Sequence, residues 1–335
     1  MRHSGKRKYL ILSAVLLIVL LIPALVIPAV KRQKALEAAE AVARAEELQR
    51  QSEKNAPIVI DGKEYMHNAG IETLLLFGVD KSEDYAENNT FFFNNDLQAD
   101  FLILFSFDRN AKTIKCLHIN RDTVTPVMLL GARGDKIGYA DMQLCLAHTF
   151  GDADEESCNN LRDAVEKMLG EEIDHYMRIT MDSVGKINDF CGGISVKVDG
   201  DFTHINKEMY DGAVHTLRGD EALAYVRERQ NVNDGSNIAR MRRQKQFMNA
   251  LYSQIRDTAV ADPEFGLKFM LEISDCMKSD CSVDKLCEFF DEINEFEFQG
   301  IYSPEGTVGT DENGYVAFTP DTADLQRLTL WAFYE

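Results

Sequence analysis

Two groups of side chains in this sequence are typed and spaced for phosphate chemistry. The first lies in residues 221–246 of a chain whose formal net charge is −19. Between residues 227 and 245 it carries Arg227, Arg229, Arg240, Arg242, Arg243 and Lys245 against Glu228 and Asp234. In an extended segment Arg227 and Arg229 share one face. On a helix Arg240, Arg243 and Gln244 stand at i, i+3, i+4 and share another. The intervening N-V-N-D-G-S-N is turn chemistry, so a strand-like pair of guanidiniums can fold back onto a helical pair. Arginine stays charged and forks onto phosphate oxygens. A solvated basic face is the plainer alternative, since charge runs are usually surface.

The second group is acidic. Residues 73–77, T-L-L-L-F, form an apolar run ending in Gly78-Val79-Asp80. Asp100 precedes a second run at 101–107, and a third at 113–119 leads into Arg121-Asp122-Thr123. Residues 108–112 read as the turn of a hairpin. Counting outward from it sets Asp100 opposite Arg121 and predicts that Asp80, Asp100, Arg121 and Asp122 gather at one sheet edge. Two carboxylates and an arginine there suit Mg²⁺ and a phosphate; taken singly, either aspartate can equally be a turn or capping residue. Asp122 and Asp234 are both candidates to take a proton, and the sequence does not choose between them. His118, His148 and His175 read as structural, since no second ligand stands at metal spacing.

The elements that must position these groups follow from periodicity. Strands at 73–77, 101–107 and 113–119 are joined by strands at 176–180 and 194–198. Helices are expected at 161–169, stopped by Gly170, and at 181–190, and residues 135–150 can be helical. Strands alternating with helices predict an α/β fold, a layered α-β-α arrangement around a central mixed sheet. Residues 1–8 are basic, and the 22 residues 9–30 carry no charge, long enough to cross a hydrocarbon core of about 30 Å. They are expected to be a single transmembrane anchor, with 1–8 cytoplasmic and the bulk of the chain outside. Residues 31–56 are helix formers and read as a stalk. Residues 57–69 read as a short hairpin on Asp61-Gly62, 70–260 as the catalytic domain and 261–335 as an appendage packed on it. In that tail helices are expected at 265–277, 283–290 and 321–331, with a hairpin about Asn313-Gly314. The apolar content of 45% is that of a folded protein, and the acidity argues against nucleic acid as the partner of the domain as a whole. The seven cysteines lack zinc-site pairing, leaving buried thiols or one or two disulfides.

Read together, these segments resemble the LytR-CpsA-Psr family of bacterial envelope enzymes. The resemblance rests on L-L-L-F-G-V-D at 74–80, Q-A-D at 98–100, N-R-D-T at 120–123 and Asp135-Lys136-Ile137. It continues in L-R-G-D-E-A-L-A-Y-V-R-E-R at 217–229 and R-M-R-R-Q at 240–244, and covers roughly residues 70–256. S-P-E-G-T at 303–307 resembles C-terminal segments of the family. The resemblance implies a Mg²⁺-dependent phosphotransferase at the outer membrane face. Such an enzyme takes an anionic or capsular glycopolymer from a polyprenyl-pyrophosphate carrier to a peptidoglycan hydroxyl, forming a phosphodiester. By position, Asp80 and Asp100 would hold Mg²⁺. Gln98, Arg121, Arg227, Arg229, Arg240, Arg243 and Gln244 would bind the pyrophosphate, with Arg121, Asp122, Arg227 and Arg229 catalytic, and an apolar core beside them would take the lipid. Two positions depart from the family: Gln98 stands where arginine is usual, which removes one charge from the phosphate clamp, and Asn120 stands where proline is usual. The rival readings are a non-catalytic binder of polyprenyl-phosphate-linked glycans, a hydrolase of the lipid pyrophosphate, and a DNA-binding regulator, against which the acidity counts.

Overall fold

The computed structural model describes residues 56–80, 95, 97–131, 133–181, 183–230, 232–262, 264–311 and 314–334, with three isolated positions, 32, 42 and 44, before them. The expected anchor at 9–30, nearly all of the stalk and most of the 81–98 loop lie outside the described residues. Among the described residues no helix is long and apolar enough to cross a membrane. The chain divides into two units, residues 1–67 and 68–335. In the first, β1 (Ile58–Ile60) pairs antiparallel with β2 (Lys63–Tyr65). Asp61 and Gly62 take the positive φ values, 52° and 77°, that the tight hairpin turn requires.

The second unit is built on a six-stranded mixed sheet. Its members are β3 (Ile71–Val79), β4 (Ala99–Asp108), β5 (Thr113–Ile119), β8 (His175–Thr180), β11 (Met277–Ser279) and β12 (Glu297–Tyr302), in the order β11-β8-β3-β4-β5-β12. β3 runs antiparallel to β4 and parallel to β8, and β12 runs parallel to β5. A continuous apolar run suits β3 because both its faces are covered. Leu74 belongs to one core, with Ile103, Phe107 and Ile114. Leu75, Phe77 and Val79 belong to the other, with Leu102, Leu104 and Leu117. This is the period-two alternation of a strand between two helical layers.

One layer contains α2 (Ser183–Phe190), α3 (Asp220–Arg227), α4 (Asn237–Ala261), α5 (Phe265–Ile273) and α6 (Val283–Glu295). The other contains α1 (Glu155–Leu169), a 3-10 segment (Leu144–Thr149) and α7 (Thr322–Phe333). Gly170 ends α1 in the left-handed conformation, φ 75°, as expected of a glycine just past a helix. Ser236 caps α4, its side chain accepting from Ala239 N. Smaller pairings complete the unit: β6 (Val124–Leu130) with β7 (Lys136–Gln143), β9 (Ser195–Lys197) with β10 (Val214–Thr216), and β13 (Gly306–Thr310) with β14 (Val316–Pro320).

Two expectations change, and the open alternative for the cysteines is decided. Residues 136–143 are not helical. They form the β7 arm of a ribbon, where the alternation K-I-G-Y-A-D-M-Q pairs with β6 from Val124↔Gln143 onward. Only the short 3-10 segment that follows turns helically. Arg227 and Arg229, expected as an extended pair, are divided: Arg227 ends the helix of residues 220–227, and the chain becomes extended only at Glu228. The seven cysteines are all free thiols. The tail is also more than a cover. Residues after 260 supply β11 and β12, the two outer strands of the sheet, and place Phe269, Phe289 and Phe290 in one core and Leu328 and Phe333 in the other. Ion pairs tie it down, Arg109 bridging Glu72 of β3 to Glu288 and Glu292 of α6.

Leu328 is 1% exposed in the core beneath α7. Truncating a leucine so placed costs about 2–5 kcal/mol, so Leu328→Ala is expected to destabilise the whole unit by that amount in denaturant titration, in one cooperative transition. A separate early transition with an unshifted main one would show instead that the tail folds independently.

Candidate functional site

The site forms where β3 and β4 end and β5 runs into the turn before β6. Asp80 follows the last residue of β3. Asp100 sits at an irregularity in β4. Gly78 pairs with Phe101 and Val79 with Ala99, so Asp100 is the extra residue of a bulge. The bulge shifts the phase of the strand: Ala99 and Leu102 face one core while Phe101 faces the other. It leaves the Asp100 side chain at the sheet edge, 12% exposed. Leu102 pairs with Ile119, and continuing that register sets Asp100 against Arg121, as the hairpin count predicts.

Arg121 Nη1 donates to Asp100 Oδ1, and Arg240 Nη1 reaches the same oxygen at 3.2 Å. Arg121 Nη2 donates to Gln98 Oε1 at 2.5 Å and to Cys145 Sγ at 3.0 Å. Arg240, on the first turn of α4, is 3% exposed. Arg227, the last residue of α3, donates to Asp80 Oδ2 at 2.8 Å. Two carboxylates and three arginines from five separate stretches of chain are therefore placed at one edge. Burial works to raise the Asp100 pKa, but Arg121 and Arg240 outweigh it and hold the carboxyl below its usual range. Burial also opposes the charge on Arg121, and Cys145, Asp100 and Asp122 more than offset it. Arg240 is drawn down by burial, which Asp100 opposes and Arg121 and Arg229 reinforce. The Cys145 thiol is pushed up to about 11, chiefly by burial, and is neutral at physiological pH.

The remaining sequence candidates separate by place. Asp122 is 4% exposed, with Arg121 Nε at 3.4 Å and Gln143 Nε2 at 3.3 Å from its Oδ1. Asp234 lies on the surface and bonds Ser236 of its own turn. Arg229 is exposed, and its side chain has no hydrogen bond or ion pair among the described residues. Arg243 and Gln244 do not join the cluster. Arg243, 1% exposed, donates to the carbonyls of Tyr225 and Glu228, and Gln244 donates to that of Val226. These are the carbonyls at the C-terminal end of α3, where a cation both satisfies orphan acceptors and complements the helix dipole. Helical spacing gives Arg240 and Arg243 neighbouring faces but does not show that the end of another helix occupies one of them. Arg242 pairs with Asp199 instead, at 2.5 Å.

Sequence reasoning overlooks Cys145 and Gln143 because neither type signals chemistry alone; both are brought in by the β6–β7 ribbon. It also places no part of the site in the tail. Yet Phe318 N donates to Asp122 O at 2.8 Å and Gln143 Nε2 to Val316 O at 2.6 Å. Next to the charged edge lies an apolar cavity with about 1080 Å³ of atom-free space, mouth included. Its walls include Phe101 and Val226, the chain neighbours of Asp100 and Arg227, and continue through Met181 and Phe247 to Phe269 and Phe289 of the tail. Gln244 is the one polar side chain among its lining residues. Behind it His118 is 1% exposed and pushed down to about 3, mainly by burial, consistent with the structural role expected for it. His148 is likewise buried, with Nδ1 2.8 Å from Leu97 O.

Because Asp100 titrates below its ordinary value near 3.8, the stability it adds is complete above that value and disappears as pH falls through the lower folded pKa. Asp100→Asn, measured in chelator, is therefore expected to be less stable than wild type at pH 7, with the gap closing towards pH 2. A gap of constant size from pH 7 to pH 2 would exclude this linkage.

The architecture and sequence both have known counterparts. Over 182 residues the chain is 32% identical to the polyisoprenyl-teichoic acid–peptidoglycan teichoic acid transferase TagU of Halalkalibacterium halodurans. That match covers 54% of this chain and 52% of the relative, so about half of that protein's length is spanned. The TagU of Bacillus licheniformis is 26% identical over 257 residues, 77% of this chain and 75% of that one. Among solved structures, protein gbs0355 of Streptococcus agalactiae superposes with a TM-score of 0.63 at 17% identity, covering 78% of this chain and 87% of the other. A structure described as "TagT bound to LI-WTA" gives 0.59 at 21%, covering 81% and 92%. At those identities the structural likenesses establish the fold. The profile of the LytR_cpsA_psr family matches residues 30–330, nearly the whole chain, and the protein therefore belongs to the LytR-CpsA-Psr family.

Proposed function

We propose that this protein transfers an anionic or capsular glycopolymer from a polyprenyl-pyrophosphate carrier to a peptidoglycan hydroxyl, leaving the two joined by a phosphodiester. The observation that carries the reading is the pairing of Arg121 and Arg240 with Asp100 and of Arg227 with Asp80, at the ends of two neighbouring strands and beside an apolar cavity. A ligand that suits both is an anionic diphosphate on a hydrocarbon chain. The names of the relatives support the same substrate class, since TagU is a polyisoprenyl-teichoic acid transferase.

In this reading Arg121, Arg227, Arg229 and Arg240 bind the diphosphate, and the apolar walls take the isoprenoid. Gln98 steadies Arg121. Arg243 and Gln244 hold the end of α3 and so aim Arg227. The donor chemistry at Asp80 and Asp100 fits Mg²⁺: both offer hard carboxylate oxygens at one edge, Asp100 is kept ionised, and this ion is usually held by one or two carboxylates together with substrate phosphates. When bound, it would neutralise charge developing on the phosphate oxygens. Phosphoryl transfer asks the protein mainly for position and charge, which matches a site whose described residues include no serine or histidine nucleophile. The acceptor hydroxyl oxygen bonds to the sugar-linked phosphorus, the phosphoanhydride bond breaks, and polyprenyl phosphate leaves. Asp122 takes the hydroxyl proton. It is buried beside Arg121, whereas Asp234 is engaged in its own surface turn. We place the catalytic unit outside the cytoplasm, tethered by residues 9–30.

Purified protein given Mg²⁺ and a lipid-pyrophosphate oligosaccharide, with and without peptidoglycan oligomers, distinguishes the alternatives. Linked product identifies a transferase, free phosphorylated sugar a hydrolase, and neither a binder. Arg227→Ala should lower transfer at least about a hundredfold, the scale of losing one charge-stabilising donor. Its melting temperature should barely change, because Arg227 is half exposed. Transfer at the wild-type rate by that variant would remove Arg227 from the mechanism.

A further inference from the structure

We infer that Asn120 and Asn237 form a buried amide bridge that positions the two arginines flanking Asp100. The inference rests on reading this edge as a phosphate site and assigns two positioning residues to it. Asn237 Nδ2 donates to Asn120 Oδ1 at 2.7 Å, across 117 residues of chain. The same Asn120 oxygen accepts the backbone N–H of Asp122 at 2.9 Å, which fixes the turn carrying Arg121. On the other side Asn237 Oδ1 accepts from Arg240 Nε at 3.0 Å and Nη2 at 2.6 Å. With those donors engaged, Arg240 turns Nη1 towards Asp100. Asn120, Asn237 and Arg240 are 4%, 7% and 3% exposed, so water does not compete for these bonds.

The bridge answers a specific electrostatic difficulty. Arg121 and Arg240 are like charges gathered on one carboxylate oxygen, and left free they would splay apart. An amide that accepts from a guanidinium and donates to the opposing turn transmits a fixed spacing between them, which neither a carboxylate nor a hydrocarbon can do. It also gives the unusual Asn120 a role: a proline there keeps the turn but has no side-chain acceptor for Asn237. Donors already held in place reduce the ordering cost of binding an anionic ligand there.

The test is a double-mutant cycle with Asn120→Ala and Asn237→Ala, neither of which changes charge. The first readout is proton exchange at the Arg240 Nε–H, followed in ¹⁵N-labelled protein and assigned by its loss in Arg240→Lys. Exchange should speed at least about tenfold in Asn120→Ala, although Asn120 does not touch Arg240. The second is the affinity for geranyl pyrophosphate by calorimetry, which should fall about tenfold in each single variant and no further in the double. Thermal melting establishes that each variant folds; if Asn120→Ala does not fold, Asn120→Ser, too short to span the gap, takes its place. Unchanged exchange at Arg240, or affinity losses that simply add, would overturn the bridge. If the wild type does not bind the probe while the Arg240 signal responds as described, the bridge stands and the phosphate reading falls.

Discussion

A single buried carboxylate shared by two guanidiniums sets the terms for the rest of this structure. Taking charges out of water is costly, and pairing them repays that cost only with good geometry and with their remaining donors satisfied. Asp100, Arg121 and Arg240 meet those terms through contributions from distant parts of the chain. A bulge delivers the aspartate, a turn after β5 delivers one arginine, and the capped start of α4 delivers the other. Gln98 and Cys145 take Nη2 of Arg121, while its Nε makes no hydrogen bond and stands 3.4 Å from Asp122 Oδ1. Much of what looks like irregularity in the fold is the means by which this triad is kept both ionised and compact.

The parts of the fold legible in the sequence were those with local periodic signals. The three apolar runs that become β3, β4 and β5 announce themselves, and the hairpin between the last two is symmetrical enough for its register to be counted, which is why Asp100 and Arg121 could be paired in advance. The loss of legibility has two sources. The outer strands β11 and β12 are short and take their meaning from neighbours that the local sequence does not contain. Arg227 reads as half of an extended pair because two arginines two residues apart suggest alternation, whereas the preceding D-E-A-L-A-Y-V carries the helical pattern. The separation of Arg240 from Arg243 was similarly hidden, since residue spacing specifies a face but not what that face meets.

The charged edge and the apolar cavity are coupled through shared elements. Phe101 lines the cavity and Asp100 the edge, one residue apart; Val226 and Arg227 repeat the arrangement on α3. The polar reach of Arg243 and Gln244 to the end of α3 fixes both features at once. A ligand seated in the cavity and a ligand held at the edge would thus be registered against the same two backbone segments, one a strand end and one a helix end, and neither segment could move without displacing both.

The outermost strand β12 lies parallel to β5 although most of the domain separates them in sequence, with Glu297 beside Thr113. During synthesis β3, β4 and β5 emerge early and β8 closes the β3 side midway, but the β5 side stays open until β12, residues 297–302, has been made. Unpaired margins of that kind are templates for pairing with other chains, and contacts so remote in sequence form slowly. Ribosomes stalled late in the message would therefore release a product with that margin open and prone to self-association.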